Sequence, residues 1–269
     1  MRFPLQQVTA VAVDTETPVL AAEALVRSMA LVDFGRAVLF TSGWLPPCII
    51  PGLDVVDIDP LPTAGARDAF LRQNLPFHVR TSHVLVLGWD GFPTQAAAWG
   101  NEFLTFDFVA APVDEALPPW GGRLSLRSRR LLAAGLDARV LEPARLEGMT
   151  LAAWLSATHG VTAAPDDIAA RFARTDEGAP RRPAFGFQGA QALPWVLDEV
   201  TLVRWLGHLP EAFFRSPGCR AGACHPPAPH GRRRLRTGPS SRAARRGAPK
   251  GPSARSARCP APRESGFRS

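Results

Sequence analysis

Two aspartates stand where short apolar runs end: Asp14 after "TAVAV" and Asp90 after "VLVLGW". A run of that kind reads as a buried strand, so the acid that ends it lies at the strand's mouth. A carboxylate there can hold a divalent cation or a hydrogen-bond donor, because an ionised group left buried and unpaired is costly. Beside Asp90, Trp89 offers a flat stacking wall, and Gly91 allows a tight turn and close approach of a ligand. Asp14, with Thr15, reads two ways: as part of a ligand crevice, or as the cap of the helix that starts near Pro18. A third candidate is "SLRSRR", where Ser125, Arg127 and Ser128 near a helix start could hold a phosphate. In that reading Arg127 contacts the phosphate, and Arg129 and Arg130 face solvent. The alternative is an ordinary helix cap followed by solvated arginines.

No stronger motif competes. The chain has no P-loop, no GxGxxG after a strand, no HExxH and no nucleophile elbow. His78, His83, His159 and His208 are scattered, and Cys219-x4-Cys224-His225 fits no common zinc spacing.

The elements that must position these residues alternate in type. Residues 8–15 read as a strand, 18–32 as a helix with proline in its first turn, and 36–42 and 53–60 as two more strands. A helix follows over about 66–80, interrupted at Pro76, and then the strand that ends on Asp90. Downstream come a strand over 106–111, a polar turn leading into a helix before Gly135, a helix over 146–161 led by Glu147, and over 185–210 a strand or turn followed by a last amphipathic helix. That order predicts an α/β fold with a largely parallel sheet, in which ligands bind beyond the carboxyl ends of the strands.

Charge divides the chain. Residues 1–214 carry 17 Arg and Lys against 23 Asp and Glu, whereas residues 215–269 carry 14 against one. The overall net charge of +7 therefore comes from the C-terminal stretch. That stretch is almost entirely Arg, Pro, Ala, Gly and Ser, with Leu235 and Phe267 its only large apolar residues, so its composition predicts disorder. The expected division is a folded domain over 1–210 and a disordered tail over 211–269. A basic arm for nucleic acid is one reading of the tail. The other is a product of GC-rich coding, in keeping with 30 arginines, one lysine and no tyrosine in the whole chain. No apolar run is long enough to span a membrane, and the N-terminus lacks the pattern of a signal peptide, so a cytoplasmic protein is expected.

The collinear order of "VTAVAVDT", "FGRAVLFTS", "TSHVLVLGWDGF", "FLTFDFVAAP", "GGRLSLRSRRLL", "ARF" and "FGFQG" resembles the bacterial DUF5672 family of glycosyltransferase-like proteins over residues 7–210. The resemblance implies a GT-A-like, Rossmann-like mixed sheet flanked by helices, and transfer of a sugar from a nucleotide-sugar donor to an unknown acceptor. It implies that Asp90 holds Mg2+ or Mn2+ against the donor diphosphate. It also implies that Asp14, Thr15, Trp89, Gly91, Gly122, Ser125, Arg127 and Gln188 line the donor. Glu147 matches the first acid of the family's acidic pair and would be the catalytic base.

The chain departs from the family pattern at five places. Gly88 stands for Gln, Gly121 for Asn, Arg123 for Gly, Gly148 for Asp and Gln188 for His. Together these imply weakened or lost catalysis. The expectations are thus a glycosyltransferase-like enzyme, or a non-catalytic protein that keeps a sugar-nucleotide or partner pocket, with nucleic-acid binding through the basic tail as a third reading.

Overall fold

The computed structural model describes residues 1–112, 122–141, 150–175 and 183–215. Its centre is a six-stranded sheet in the order β3-β2-β1-β4-β6-β5. The strands are β1 (Phe3–Val13), β2 (Val32–Thr41), β3 (Leu53–Asp57), β4 (His83–Leu87), β5 (Phe108–Ala110) and β6 (Ser125–Ser128). The first four run parallel, and β6 is antiparallel to both β4 and β5. The fold is therefore the expected mixed, mostly parallel α/β sheet flanked by helices.

Alternation along the central strands builds two cores. Ala10 and Ala12 of β1 face one side with Leu39, Leu85 and Leu87, where α1 (Pro18–Leu31) packs through Leu20, Ala21, Ala24 and Leu25. Val11 and Val13 face the other side with Val38, Phe40, Val84 and Val86. That face is covered by α2 (Ala64–Gln73), α3 (Leu75–His78) and α4 (Arg129–Ala134) through Phe70, Leu71, Leu75 and Leu132. The small alanines of β1 lie under a helix that is itself rich in alanine, so backbone and helix approach closely. The break between α2 and α3 falls at Asn74, two residues before Pro76, whose missing N–H cannot continue the α2 ladder.

One expectation changes and two gain detail. Residues 125–128 form a buried strand rather than a polar turn, because Ser-Leu-Arg-Ser pairs on both edges, with β4 and with β5. The segment from Phe185 begins with the expected strand, and its helical part is divided in two. After α5 (Leu151–His159) and α6 (Asp166–Phe172), a short two-stranded sheet joins β7 (Ala173–Arg174) to β8 (Gly186–Phe187), and then α7 (Leu193–Val196) breaks before α8 (Glu199–Gly207). Asp198 starts α8 afresh: its Oδ1 accepts from Thr201 N–H at 2.9 Å and its Oδ2 from the Thr201 hydroxyl at 2.7 Å. Finally, the described residues continue past Pro210, where the domain was expected to end. Glu211–Arg215 is a helix, α9, and Phe213 packs edge-on against Trp89 with ring centroids 5.4 Å apart. The rest of the tail lies outside the described residues.

Candidate functional site

The sheet order reverses between β1 and β4: the chain leaves β1 toward β2 on one side, and β4 stands on the other. The carboxyl ends of these neighbours diverge into a crevice, the usual ligand position in open α/β sheets. Ala12 and Leu87 are register partners, so the residues that follow them, Asp14 and the Gly88–Asp90 turn, open onto the same end of the sheet. A cleft of about 580 Å3 lies there. Its walls come from the end of β1 (Asp14, Thr15, Glu16 and Thr17) and from the start of α2 (Thr63, Ala64, Arg67 and Asp68). The β4 turn contributes Gly88 and Trp89, the lead into β6 contributes Gly122 and Arg123, and Gln188, Leu209, Pro210 and Phe213 close it.

Asp14 lines the cleft but is committed to its own turn. Its Oδ1 accepts from the N–H groups of Glu16 at 2.9 Å and Thr17 at 2.6 Å, and its Oδ2 accepts from the Thr17 hydroxyl at 2.7 Å. This is an Asx-type turn that leads the chain into α1. The adjacent Thr15 ties the far wall, since its hydroxyl accepts from Leu61 N–H at 3.0 Å.

The β4 turn is a tight hairpin. Gly88 N–H donates to Gly91 O and Gly91 N–H donates back to Gly88 O, at 2.9 and 3.1 Å. Gly91 is required by its neighbour: a Cβ there would sit 2.8 Å from Arg123 Cβ and 3.0 Å from Arg123 C. The space that a ligand would need at Gly91 is filled by the chain entering β6. Asp90 is only 7% exposed, and its main-chain oxygen accepts from Gly189 N–H at 2.7 Å. Its carboxylate Oδ2 pairs with Arg123 Nε at 3.3 Å. The other oxygen, Oδ1, is buried and meets no donor in hydrogen-bonding geometry among the described residues. Burial pushes this carboxyl above its ordinary range, and Arg123, Asp90's own N–H and Arg67 oppose the shift only in part.

Gln188 holds the lead into β6 in place. Its Oε1 accepts from Arg123 N–H at 2.9 Å, and Gly122, with φ +91°, makes the turn that brings Arg123 there. Trp89 is nearly buried, and its flank lines the cleft beneath Phe213.

Ser125 and Arg127 are elsewhere. Arg127 is fully buried on the sheet face of its register partner Val84, and its Nε donates to Ser125 Oγ at 3.1 Å. Neither lines the cleft, and burial lowers the Arg127 guanidinium to about 9. The helix start after "SLRS" is filled by protein. Ser128 Oγ accepts from Leu131 N–H at 3.1 Å and donates to Asp107 Oδ1 at 2.5 Å. Arg129 and Arg130 are exposed, as expected. Glu147 lies outside the described residues, as do Gly121 and Gly148.

Two cleft residues escaped the sequence reading of the site. Arg67 sits one turn inside α2, whose N-cap Thr63 accepts from Ala66 N–H at 3.1 Å. Its Nε donates to Val13 O at 3.1 Å, which ties α2 to the end of β1, and it forms no ion pair among the described residues. Arg123 figured in the sequence only as a departure from the pattern that the chain resembles, and its pairing with Asp90 was not foreseen. Burial and the nearby Arg123 charge both lower Arg67 from its ordinary value, against the pull of Asp90, Asp68 and Asp14.

No protein-family model matches the sequence, nor does any curated protein. Among solved structures the chain is similar to two of the glycosyltransferase GlyE of Streptococcus pneumoniae TIGR4. The apo form gives a TM-score of 0.42 at 11% identity, over 84% of this chain and 65% of that one. The second gives a TM-score of 0.40 at 13% identity, over 75% of this chain and 60% of that one. The chain thus spans less than two thirds of the length of either structure.

Proposed function

We propose that this domain binds a nucleotide-sugar donor in the cleft between the ends of β1 and β4, as a glycosyltransferase-type protein. One observation carries the reading. The topological switch point opens into a cleft of about 580 Å3 that has two arginines and the first turn of α2 in its walls. That volume suits a nucleoside-diphosphate sugar, since small-molecule sites run from roughly 300 to 1,000 Å3. The cationic groups suit its diphosphate. Trp89 and Phe213 supply apolar surface for a base or a sugar face.

In transfer, the bond from the sugar's C1 to the diphosphate oxygen breaks, with its electron pair staying on the diphosphate. The acceptor oxygen bonds C1, and its proton passes to a base. Glu147 is proposed for that base on the family resemblance alone.

The buried, ion-paired state of Asp90 favours a second reading, in which the cleft binds the donor and does not turn it over. A thermal-shift panel of common nucleotide sugars, followed by a hydrolysis and transfer assay with each that binds, separates the two. Binding with turnover supports the enzyme, and binding without turnover supports the second reading. A panel without a shift overturns both.

No helix among the described residues is long and apolar enough to cross a membrane. The nucleic-acid reading rests on the basic tail, outside the described residues, and its test is salt-dependent binding that disappears on removal of residues 215–269.

A further inference from the structure

The cation expected beside Asp90 is a divalent metal, and the residues present do not fit one. Mg2+ needs near-octahedral oxygen ligands, commonly one or two protein carboxylates with waters and substrate phosphate. Asp14 already accepts three hydrogen bonds within its own turn, two on Oδ1 and one on Oδ2, and Asp90 offers one oxygen to Arg123 and keeps the other buried. Among the described residues no group of three His, Cys, Asp or Glu side chains could hold a metal ion.

The cleft instead holds two guanidiniums. Arg67 and Arg123 both line it, close enough to repel one another. Arg123 is half-exposed, and its only ion pair among the described residues is with Asp90. Arg67 has no ion pair there at all, although it is half-buried and carries charge at the α2 end of the cleft. Their repulsion is offset in part by Asp90 beside Arg123 and by Asp14 and Asp68 near Arg67, and a phosphate anion lying between the two guanidiniums relieves it further. The first turn of α2, with Thr63 and Ala64 in the same wall, adds its positive end.

Resting on the donor-binding reading above, we infer that the cleft holds the donor diphosphate on Arg67, Arg123 and the first turn of α2 without a divalent ion, with Arg123 in the metal's place beside Asp90. Planar guanidiniums suit phosphate oxygens, and fixed donors facing a leaving diphosphate stabilise the charge that develops as the C1–O bond breaks. The substitution of Arg123 for the family's glycine is then a change of cation as well as a departure from the pattern.

Titration calorimetry with inorganic pyrophosphate, and with each nucleotide sugar that binds, tests this in EDTA and in excess Mn2+. Binding should persist in EDTA. Arg67→Gln should weaken it about tenfold or more, the scale of one charge-assisted hydrogen bond. Arg123→Gln alone leaves Asp90 buried and unpaired, so the double variant Asp90→Asn/Arg123→Gln is the folded control, and it should lose affinity to a similar degree. Binding that requires Mn2+ overturns the metal-free site and leaves the donor-binding reading standing. Binding in EDTA that neither Arg67→Gln nor the double variant weakens also overturns it. Absence of binding by pyrophosphate and by every nucleotide sugar, in both conditions, overturns the inference and the donor-binding reading together.

Discussion

Arg123 and Asp90 form an ion pair across the β4 turn, Nε to Oδ2 at 3.3 Å, with the acid buried and the base half in solvent. The asymmetry matters. The carboxylate bears most of the desolvation cost, while the guanidinium keeps part of its hydration and one face toward the cleft.

Asp90→Asn should therefore be tolerated at neutral pH and should alter the pH profile. Burial raises the folded-state pKa of Asp90 above its unfolded value, so between those two values the folded protein binds more protons than the unfolded one. Unfolding free energy then falls as pH rises through that window, and the contribution of Asp90 is most favourable on its acid side. Urea denaturation across the acid range should show this downward component in the wild type and its absence in Asp90→Asn. A wild-type curve whose Asp90-dependent part rises with pH would mean that the ion pair outweighs burial.

The same substitution separates the two cation readings. A metal ligand lost to Asn abolishes metal-dependent donor binding. If Asp90 only balances Arg123, Asp90→Asn should leave donor affinity intact or tighten it, because the local potential becomes more positive. Calorimetry on the variant reads this directly, and loss of binding would restore Asp90 to the role of a ligand.

Asp14 should behave in the opposite way. Asp14→Ala removes the acceptors of two main-chain N–H groups and the Thr17 hydroxyl at the entry to α1. A loss of about 1–2 kcal/mol in unfolding free energy is expected. Asp14→Asn, which keeps one good acceptor, should lose less. Equal stability of Asp14→Ala and wild type would show that the turn forms without its side chain.

The fold and half of the site were legible in the sequence. Apolar runs located β1 and β4, and with them the crevice, because a short, fully buried strand such as β4 leaves little choice about where its polar end emerges. Arg67 was not legible. On α2 it is one charged residue among Arg67, Asp68 and Arg72, and helical periodicity does not distinguish a cleft from solvent. Residues 125–128 were misread for a related reason. In a strand, Ser125 and Arg127 share one face and Leu126 takes the other, and a buried arginine on the first face looks like a solvated one. The helix Glu211–Arg215 was not foreseen because it is short and directly precedes the basic stretch, although two phenylalanines there were the available signal.

That helix supplies a truncation test. Ending the chain after Arg215 should leave the melting temperature within a few degrees, since a change of about 1 kcal/mol moves a domain of this size by roughly 2–4 °C. Ending it after Pro210 also removes Phe213 from Trp89, an edge-on aromatic contact that contributes about 0.5–1.5 kcal/mol beyond its buried area. The shorter chain should melt measurably lower and bind the donor more weakly. Identical melting of the two truncations would show that α9 does not hold the cleft wall.

The central claim is that the donor occupies the cleft between β1, α2 and the β4 turn. Ala64→Trp fills that space from the exposed start of α2 without touching either arginine's charge or the buried cores. Titration calorimetry of the common nucleoside-diphosphate sugars into wild type and Ala64→Trp, with both proteins shown to melt alike, measures the claim directly. The account predicts that at least one donor binds the wild type and binds Ala64→Trp about tenfold or more weakly, a loss of about 1.4 kcal/mol. Binding by none of them, or equal binding to both proteins, would contradict it.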